Sequence, residues 1–400
     1  MFLGGDNAEV DWVVGYGPPP EKFQAKLEKI LKGDETFKAL SEAKAKNPKD
    51  AAATFKLARK WADRYNDAKT LPLYKEVVQL DPQGKSGTYT NEYTKVTVSY
   101  TEYAEFAIAA TNLSGAKIDV TPMRDFMAKY PKTKLLKDAY GRMSYYYGLQ
   151  APKDEAAKFF EEYTGKFPED AAVLISWLAR IVRDKEPLDK GVELAEKIQT
   201  LARSTPSSTY QGIADLYLLK GDKEKAEDAF GKNFMENRVA GLAYDLISYA
   251  NFWLGKGENK DSALAMAETA LKLEPDNYYI IQQTAGAYLK MNKEDKALAL
   301  FGPAYMQKNI NDASTLNGYA WFWAGQGKNL NSALAAAKKA VELKPKQYNI
   351  WDTLGAVYAK MKNTAEAIKA MEKAIELAPD NVKEAYKKNL DKIKAEAAKK

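Results

Sequence analysis

The sequence predicts an all-α protein, a right-handed solenoid of about nine helix hairpins with a small β-hairpin and helix at its N-terminal end. Two observations predict this fold. Large apolar residues and small residues recur three or four positions apart along most of the 400-residue chain, which is the spacing of one helix face. The second half of the chain also repeats itself after 70 residues, and such internal repetition is typical of stacked helix hairpins.

Residues 1–33 differ in pattern from the rest of the chain. Phe2-Leu3, the turn Gly5-Asp6-Asn7 and the run Val10–Gly15 predict two antiparallel strands, and Glu21–Leu31 predicts a helix. This order resembles the C-terminal third of a thioredoxin fold, although the Cys-x-x-Cys motif of that family is missing here. Two interpretations stay open: the segment caps the solenoid, or the chain is the C-terminal piece of a longer thioredoxin–solenoid protein, which we favour.

The hairpin at residues 348–381 carries the clearest repeat pattern. Trp351 and Gly355 share one face of a first helix, and Ala367 lies on the second. Asn363 is placed to cap the second helix, and Pro379 to end it. The pattern resembles the tetratricopeptide repeat, a helix hairpin with large and small residues at fixed positions and a proline near its end. The resemblance implies a stack of hairpins that binds peptides or proteins.

This resemblance divides the chain into segments. A linking helix occupies residues 34–50, divergent repeats fill residues 51–240, and four regular repeats fill residues 241–381. Residues 382–400 predict an amphipathic capping helix, because a solenoid needs a polar outer face where it ends in water.

The segment Tyr89–Asn112 is ambiguous. Its stretch TKVTVSY has strand propensity, but apolar residues keep helical spacing over the whole segment. We therefore predict one long helix. Its tyrosines, from Tyr89 to Tyr103, form a second candidate contact surface, with ordinary packing as the alternative.

The strongest internal evidence is the repetition between residues 249–291 and residues 319–361. The two stretches share residue types at the spacings of two helix hairpins, which indicates a duplicated block. The shared residues of the first stretch, each matched 70 positions later, are Tyr249, Ala250, Phe252, Trp253, Gly255, Gly257, Asn259, Ser262, Ala263, Leu264, Ala265, Ala267, Ala270, Leu273, Pro275, Tyr288, Lys290 and Met291.

Composition excludes several chemistries. The chain has no cysteine and no histidine, so disulfides, thiol chemistry and histidine acid–base catalysis are excluded. The net charge of +6 is spread along the whole length and does not indicate nucleic acid. No apolar run approaches about 20 residues, so no transmembrane segment is predicted. Gly84-Lys85-Ser86 lacks the earlier glycine of a phosphate loop, and no catalytic, cofactor or metal site is predicted.

One tryptophan does not fit the core pattern. Trp61, Trp177, Trp253, Trp323 and Trp351 fit positions in the repeat core. Trp321 lies two residues before Trp323 and therefore points about 160° away around the helix. In tetratricopeptide repeats this side of the first helix faces a concave groove, and the alternative is that Trp321 packs against a neighbouring first helix.

The resemblance places further residues on the same side of the first helices. We call the following eight the predicted groove residues: Tyr244, Asn251, Tyr279, Gln282, Asn317, Trp321, Asn349 and Asp352. Ile247 and Leu289 are expected beside them. The family's clamp for a C-terminal carboxylate needs a lysine where this chain has Ile247, so that binding mode is not expected. Aromatic and amide groups instead suit an extended peptide.

The leading hypothesis is a non-enzymatic scaffold that binds a peptide or protein segment through the predicted groove residues. One alternative is the substrate-recognition part of a thiol oxidoreductase whose redox portion lies outside this chain. Another is a structural subunit that self-associates through its end faces. The chain carries no targeting signal, which favours the cytoplasm by default, or export if it is a fragment of a longer precursor.

Overall fold

The computed structural model describes residues 2–3, 9–11, 20–115, 117–201, 207–231 and 242–398. The chain divides into two compact units, residues 1–204 and residues 205–400, and each unit is described by itself. Within the described residues, nine helix hairpins follow one another along the chain, which confirms the predicted all-α class.

The N-terminal segment contains two short strands and two helices. Strand β1 (Phe2–Leu3) pairs antiparallel with β2 (Glu9–Asp11), and helices α1 (Pro20–Leu31) and α2 (Phe37–Lys46) follow. Asp11 is fully buried and forms an ion pair with Lys60 of the first repeat, with Nζ to Oδ2 2.5 Å apart. The strands are therefore attached to the first repeat. The predicted turn at residues 5–7 and the end of the second predicted strand lie outside the described residues.

The first unit continues as four helix hairpins. Their second helices pack on the first helix of the next hairpin, so each hairpin buries its apolar face against a neighbour. The bounds are α3 (Ala51–Ala62), α4 (Asp67–Leu80), α5 (Tyr100–Thr111), α6 (Thr121–Lys129), α7 (Leu136–Leu149), α8 (Lys153–Lys166), α9 (Ala171–Asp184) and α10 (Leu188–Leu201).

The prediction of one helix over residues 89–112 is wrong in its first half. Strands β3 (Thr88–Thr90) and β4 (Thr97–Ser99) form an antiparallel hairpin, and helix α5 begins only at Tyr100. The side chain of Asn91 accepts two backbone N–H bonds within the turn, at 2.9 and 3.0 Å, and Lys95 takes a positive φ of 58°. Strand propensity and turn chemistry therefore outweigh helical spacing here.

The tyrosines of this segment pack mainly inside the unit. Tyr89 lies 4.4 Å from Tyr103 between ring centroids, and both rings lie near Phe55. The guanidinium of Arg59 donates to the hydroxyl of Tyr103 at 3.2 Å and lies over the ring of Tyr89 at 5.2 Å. These half-buried rings therefore contribute to the packing of the unit, whereas Tyr93 is 94% exposed, and the contact-surface interpretation stays a prediction.

The second unit is built from five hairpins and a terminal helix. One second helix is interrupted, because Gly302 leaves helical geometry between two shorter helices. The bounds are α11 (Ser207–Leu219), α12 (Lys223–Phe230), α13 (Ala243–Lys256), α14 (Lys260–Leu273), α15 (Tyr278–Lys290), α16 (Glu294–Phe301), α17 (Pro303–Lys308), α18 (Ala313–Gln326), α19 (Leu330–Leu343), α20 (Tyr348–Lys360), α21 (Thr364–Leu377) and α22 (Asp380–Ala398).

The duplicated block has matching geometry in both copies. Helices α13 and α18 have bounds 70 residues apart, and so do α14 and α19. The indole N–H of Trp253 donates to the carbonyl of Phe230 at 3.2 Å, and that of Trp323 donates to the carbonyl of Phe301 at 2.7 Å. Phe230 and Phe301 each end a helix before a glycine, where the carbonyl lacks a helical partner. The sequence did not predict this use of the helix ends.

Three of the five tryptophans predicted to lie in the core are buried, and two are half-buried. Trp177, Trp253 and Trp323 are buried, whereas Trp61 and Trp351 are half-buried. In the 348–381 hairpin, a Cβ on Gly355 would lie 2.9 Å from the sulfur of Met371. A small residue is therefore required where α20 and α21 approach each other.

The terminal helix α22 covers the last hairpin. Leu390 is buried, and Tyr386 meets Tyr348 of α20 edge-to-face with ring centroids 5.8 Å apart. Its apolar stripe, as far as the structure describes it, packs on α21. No helix among the described residues has the length and apolar character needed to span a membrane.

Candidate functional site

The predicted groove residues lie on four first helices of the second unit, α13, α15, α18 and α20. The structure packs α13 beside α15 and α18 beside α20. Helices α15 and α18 are also in contact. Tyr278 of α15 lies against Gly318 of α18, and Phe322 of α18 lies against Gly286 of α15. We call the surface of these four helices that carries the predicted groove residues the first-helix face.

Trp321 is the most prominent side chain of this face. It is 54% exposed, whereas Tyr319 and Trp323 of the same helix are 0% exposed. Helix α18 therefore buries one side and presents Trp321 on the other, as the 3.6-residue period requires. The alternative, that Trp321 packs against a neighbouring first helix, stays a prediction, because nearly half of the side chain is covered.

Two tyrosines form a second exposed aromatic group. The rings of Tyr244 and Tyr279 stack with centroids 5.6 Å apart and planes 17° apart, and the side chains are 54% and 42% exposed. The hydroxyl of Tyr244 accepts from Nδ2 of Asn277 at 2.9 Å. Asn277 also caps helix α15, so one residue orders both the helix and the tyrosine pair. Its capping position was readable from the sequence, but its contact with Tyr244 was not.

Two of the predicted amide residues are already engaged. Asn251 donates from Nδ2 to Oε1 of Gln283 at 2.8 Å, which ties α13 to α15. Gln282 donates from Nε2 to the hydroxyl of Tyr278 at 3.3 Å. Both side chains are half-buried. These amides therefore stiffen the face, and Gln283 is a member of it that the sequence pattern did not single out.

Asn317 differs from those two amides. Its Oδ1 is buried and has no hydrogen-bond partner, the one such side-chain atom found in the part of the chain that the structure describes. Asn317 lies one helical turn before Trp321, and residues four apart on a helix are neighbours on its surface. An unpartnered buried acceptor costs about 1–3 kcal/mol, so a donor brought by a ligand would be stabilising here.

The last two predicted residues lie on α20. Asn349 is exposed, and Asp352 is half-buried. Burial raises the pKa of the Asp352 carboxyl to about 6. The charge of Asp352 in turn contributes to the raised pKa of Tyr386 on α22, so the terminal helix lies close to Asp352. Asp352 is therefore at the edge of the face and partly covered.

Two apolar residues, Ile247 and Leu289, were expected beside the predicted groove residues. Ile247 was expected on the face, but it is 1% exposed and packs in the core. Leu289 is half-buried. Among the predicted groove residues, the direct side-chain contact that the structure shows joins Tyr244 and Tyr279. The remaining residues share the face through the register of their helices.

The described residues offer no alternative centre for metal chemistry. Within the ranges that the structure covers, no three acidic side chains lie close enough together to hold a metal ion. Burial is the cause of the raised pKa of the Asp352 carboxyl.

Comparison with known proteins addresses the hairpin of α20 and α21. The sequence model of the tetratricopeptide repeat family matches residues 348–381. This hairpin is similar to a tetratricopeptide repeat. The matched residues do not include the N-terminal segment, so its likeness to a thioredoxin fragment stays a prediction. No curated protein matches the chain.

Several solved structures are similar to this chain. A tetratricopeptide repeat protein from Parabacteroides merdae is 11% identical, with 86% of this chain and 98% of that chain covered and a TM-score of 0.37. MamA from Desulfovibrio magneticus is 20% identical over 44% of this chain and 97% of its own, with a TM-score of 0.29. YrrB, described as a tetratricopeptide repeat protein with an unusual peptide-binding site, is 19% identical over 57% of this chain and 97% of its own, with a TM-score of 0.26. Similarity this low assigns no partner to this chain.

Proposed function

We propose that this protein is a non-enzymatic scaffold that binds a peptide or protein segment on the first-helix face of its second unit. The observation that carries the proposal is the exposure of Trp321 on a helix whose other aromatic side chains pack inward. Exposing an indole costs the free energy that its burial would release, and exposed tryptophans are enriched at binding surfaces.

The surroundings of Trp321 support the same function. The stacked pair Tyr244 and Tyr279 adds rigid apolar area with hydroxyl groups at its edge. The bonds of Asn251 and Asn277 hold neighbouring helices and side chains in place before a ligand arrives. A preorganised surface lowers the ordering cost of binding to the share of the partner.

The similarity of residues 348–381 to a tetratricopeptide repeat supports an interaction role in general, because such repeats commonly present surfaces to other proteins. YrrB is a tetratricopeptide repeat protein with an unusual peptide-binding site. For this chain, a peptide ligand is our proposal. The role as part of a thiol oxidoreductase and the role as a self-associating subunit stay predictions.

The test compares wild type with Trp321→Ala in a pull-down from the lysate of the source organism. Tyr145→Ala is the matched control, because Tyr145 is a 60% exposed aromatic residue of the other unit. All three proteins must first show the same helical content and melting. A partner captured by wild type and Tyr145→Ala but lost by Trp321→Ala is the expected result. Equal capture by all three proteins would contradict the proposal.

A further inference from the structure

The first-helix face is nearly free of charge. Helix α18, which carries Asn317 and Trp321, contains no charged residue from Ala313 to Gln326. The predicted groove residues of the other three helices are tyrosines and amides apart from Asp352, which is partly covered at the edge. Lysines of these helices lie in their last turns, as Lys256, Lys290 and Lys360. A charged ligand would therefore find no opposite charge on α18 itself.

Two groups near the centre of this face have unused hydrogen-bonding capacity. The amide of Asn317 makes no hydrogen bond, and the indole N–H of Trp321 has no partner among the described residues. The terminal torsion of an asparagine side chain is broad, so its amide can turn Oδ1 outward toward a donor. An acceptor and a donor one helical turn apart match the N–H and C=O groups of an extended peptide main chain.

The neighbours of Trp321 on the adjacent first helices are small. In the register of the first helices, the positions equivalent to Trp321 are Gly286 on α15 and Ala356 on α20. Both equivalent positions thus carry small side chains. A cation could also stack on an indole, but a lysine or arginine placed here would have no carboxylate on α18 to receive its N–H groups.

We propose that the occupant of the first-helix face is an uncharged, extended peptide segment. It places an apolar or aromatic side chain against Trp321 and a main-chain N–H against Oδ1 of Asn317. This inference rests on the proposed function and names the chemistry of its partner. Binding between uncharged groups is insensitive to salt, because screening acts on charges.

The experiment selects binders from a displayed library of random peptides on the immobilised full chain, and then measures synthetic versions of the selected peptides. The expected sequences lack lysine, arginine, aspartate and glutamate in the segment that contacts the face. Their dissociation constants should change by less than about twofold between about 0.05 and 0.5 M NaCl. Trp321→Ala should weaken binding by about tenfold or more, and Tyr145→Ala should leave it unchanged.

Asn317→Ala separates binding from folding. The side chain has no hydrogen bond to lose, so this variant should fold and melt like wild type or slightly better, yet bind about five- to tenfold more weakly. A variant that melts lower and binds equally well would show that Asn317 serves the fold. That result would remove Asn317 from the site.

The remaining outcomes distinguish the two proposals. Selected peptides that depend on Trp321 but carry charges, or lose affinity steeply with salt, would overturn the uncharged ligand and leave the binding function standing. Failure to select any peptide that depends on Trp321 would overturn both. A concentration-dependent dimer that Trp321→Ala abolishes would instead assign the face to a second copy of this chain and overturn the peptide ligand.

Discussion

Helices α13 and α18 are two copies of one element, and their differences separate folding from binding. Both have 14 residues, and the buried side chains correspond: Leu246, Tyr249 and Trp253 in one, and Leu316, Tyr319 and Trp323 in the other. On the first-helix face the copies diverge, since Tyr244 and Asn251 correspond to Ser314 and Trp321.

The comparison teaches that packing restricts one side of these helices much more than the other. Interiors are close-packed, so a buried tryptophan with a hydrogen-bonded N–H tolerates little change. The opposite side meets solvent and is free to vary. One scaffold can thus carry a tyrosine stack on α13 and α15 and an exposed indole on α18.

The largest expected effect on the free energy of unfolding comes from the buried side chains that α13 and α18 share. Trp323→Ala removes a fully buried side chain and the hydrogen bond from its N–H to Phe301. We expect the free energy of unfolding to fall by about 3–5 kcal/mol. Urea unfolding followed by circular dichroism measures it. Trp321→Ala, two residues away but exposed, should cost less than about 1 kcal/mol. Similar losses for both variants would contradict the division into two sides.

The next effect comes from making one copy resemble the other. Gly318→Ser introduces the residue found at position 248, but a Cβ at position 318 would lie 2.2 Å from the hydroxyl of Tyr278. We expect a loss of about 1–3 kcal/mol in the free energy of unfolding, because the side chains must move apart.

Two controls sharpen that result. Gly286→Ala should be tolerated, since its nearest neighbour, Phe322, would be 3.8 Å from the new Cβ. In a Tyr278→Phe background, the cost of Gly318→Ser should shrink because the clashing hydroxyl is gone. An unchanged cost in that background would show that backbone effects, and not the clash, are responsible.

The carboxyl of Asp352 provides a smaller effect that depends on pH. Burial raises its pKa from 3.8 to about 6 in the folded protein. The folded state therefore binds the proton more tightly than the unfolded state, and the stabilising effect of protonation, complete below the unfolded pKa, is lost as pH rises through about 6.

Asp352→Asn should therefore stabilise the protein at pH 7.5 by about 1–2 kcal/mol, and the gain over wild type should disappear near pH 4. Melting temperatures of both proteins across this range measure the effect. Gln282 occupies the equivalent position in the first copy and is neutral, so Gln282→Ala should show no such pH dependence. A gain that persists unchanged to pH 4 would argue against titration of Asp352.

The smallest effects concern the glycines that end these helices. A Cβ on Gly325 meets nothing within 4 Å, and this residue is helical. Gly325→Ala should stabilise by about 0.5–1 kcal/mol, because it restricts the unfolded chain. Gly327 has a φ of +64°, so Gly327→Ala should destabilise by about 1 kcal/mol. Thermal melts compare the pair. The same sign for both would contradict the assignment of Gly327 as the helix terminator.

The sequence predicted the regular half of the chain well. In the hairpin at residues 348–381, Asn363 caps the second helix and that helix ends shortly before Pro379, as predicted. The 70-residue repeat appears in the helix bounds. Strong periodicity and capping residues are local signals, so they survive without knowledge of the fold. The exposure of Trp321 also follows from its position relative to Trp323.

The sequence was less informative where long-range contacts compete with local pattern. In the β-hairpin of residues 88–99, the local strand and turn signals act together with a long-range contact, since Tyr89 packs near Phe55 and Arg59, more than 25 residues earlier in the chain. The burial of Ile247 and the partner of Asn251 also depend on the neighbouring helix. Patterns within one segment do not contain this information.

By itself, the sequence determined the helix hairpins and their duplication, because these follow from the 3.6-residue period and from local caps. The tertiary structure decided which surface residues are engaged and which keep free hydrogen-bonding groups. Asn251 and Asn317 are the same residue type on equivalent helices, yet one bonds to Gln283 and the other has an unpartnered oxygen. The physical reason is that a polar group forms a hydrogen bond only if packing places a suitable donor or acceptor beside it.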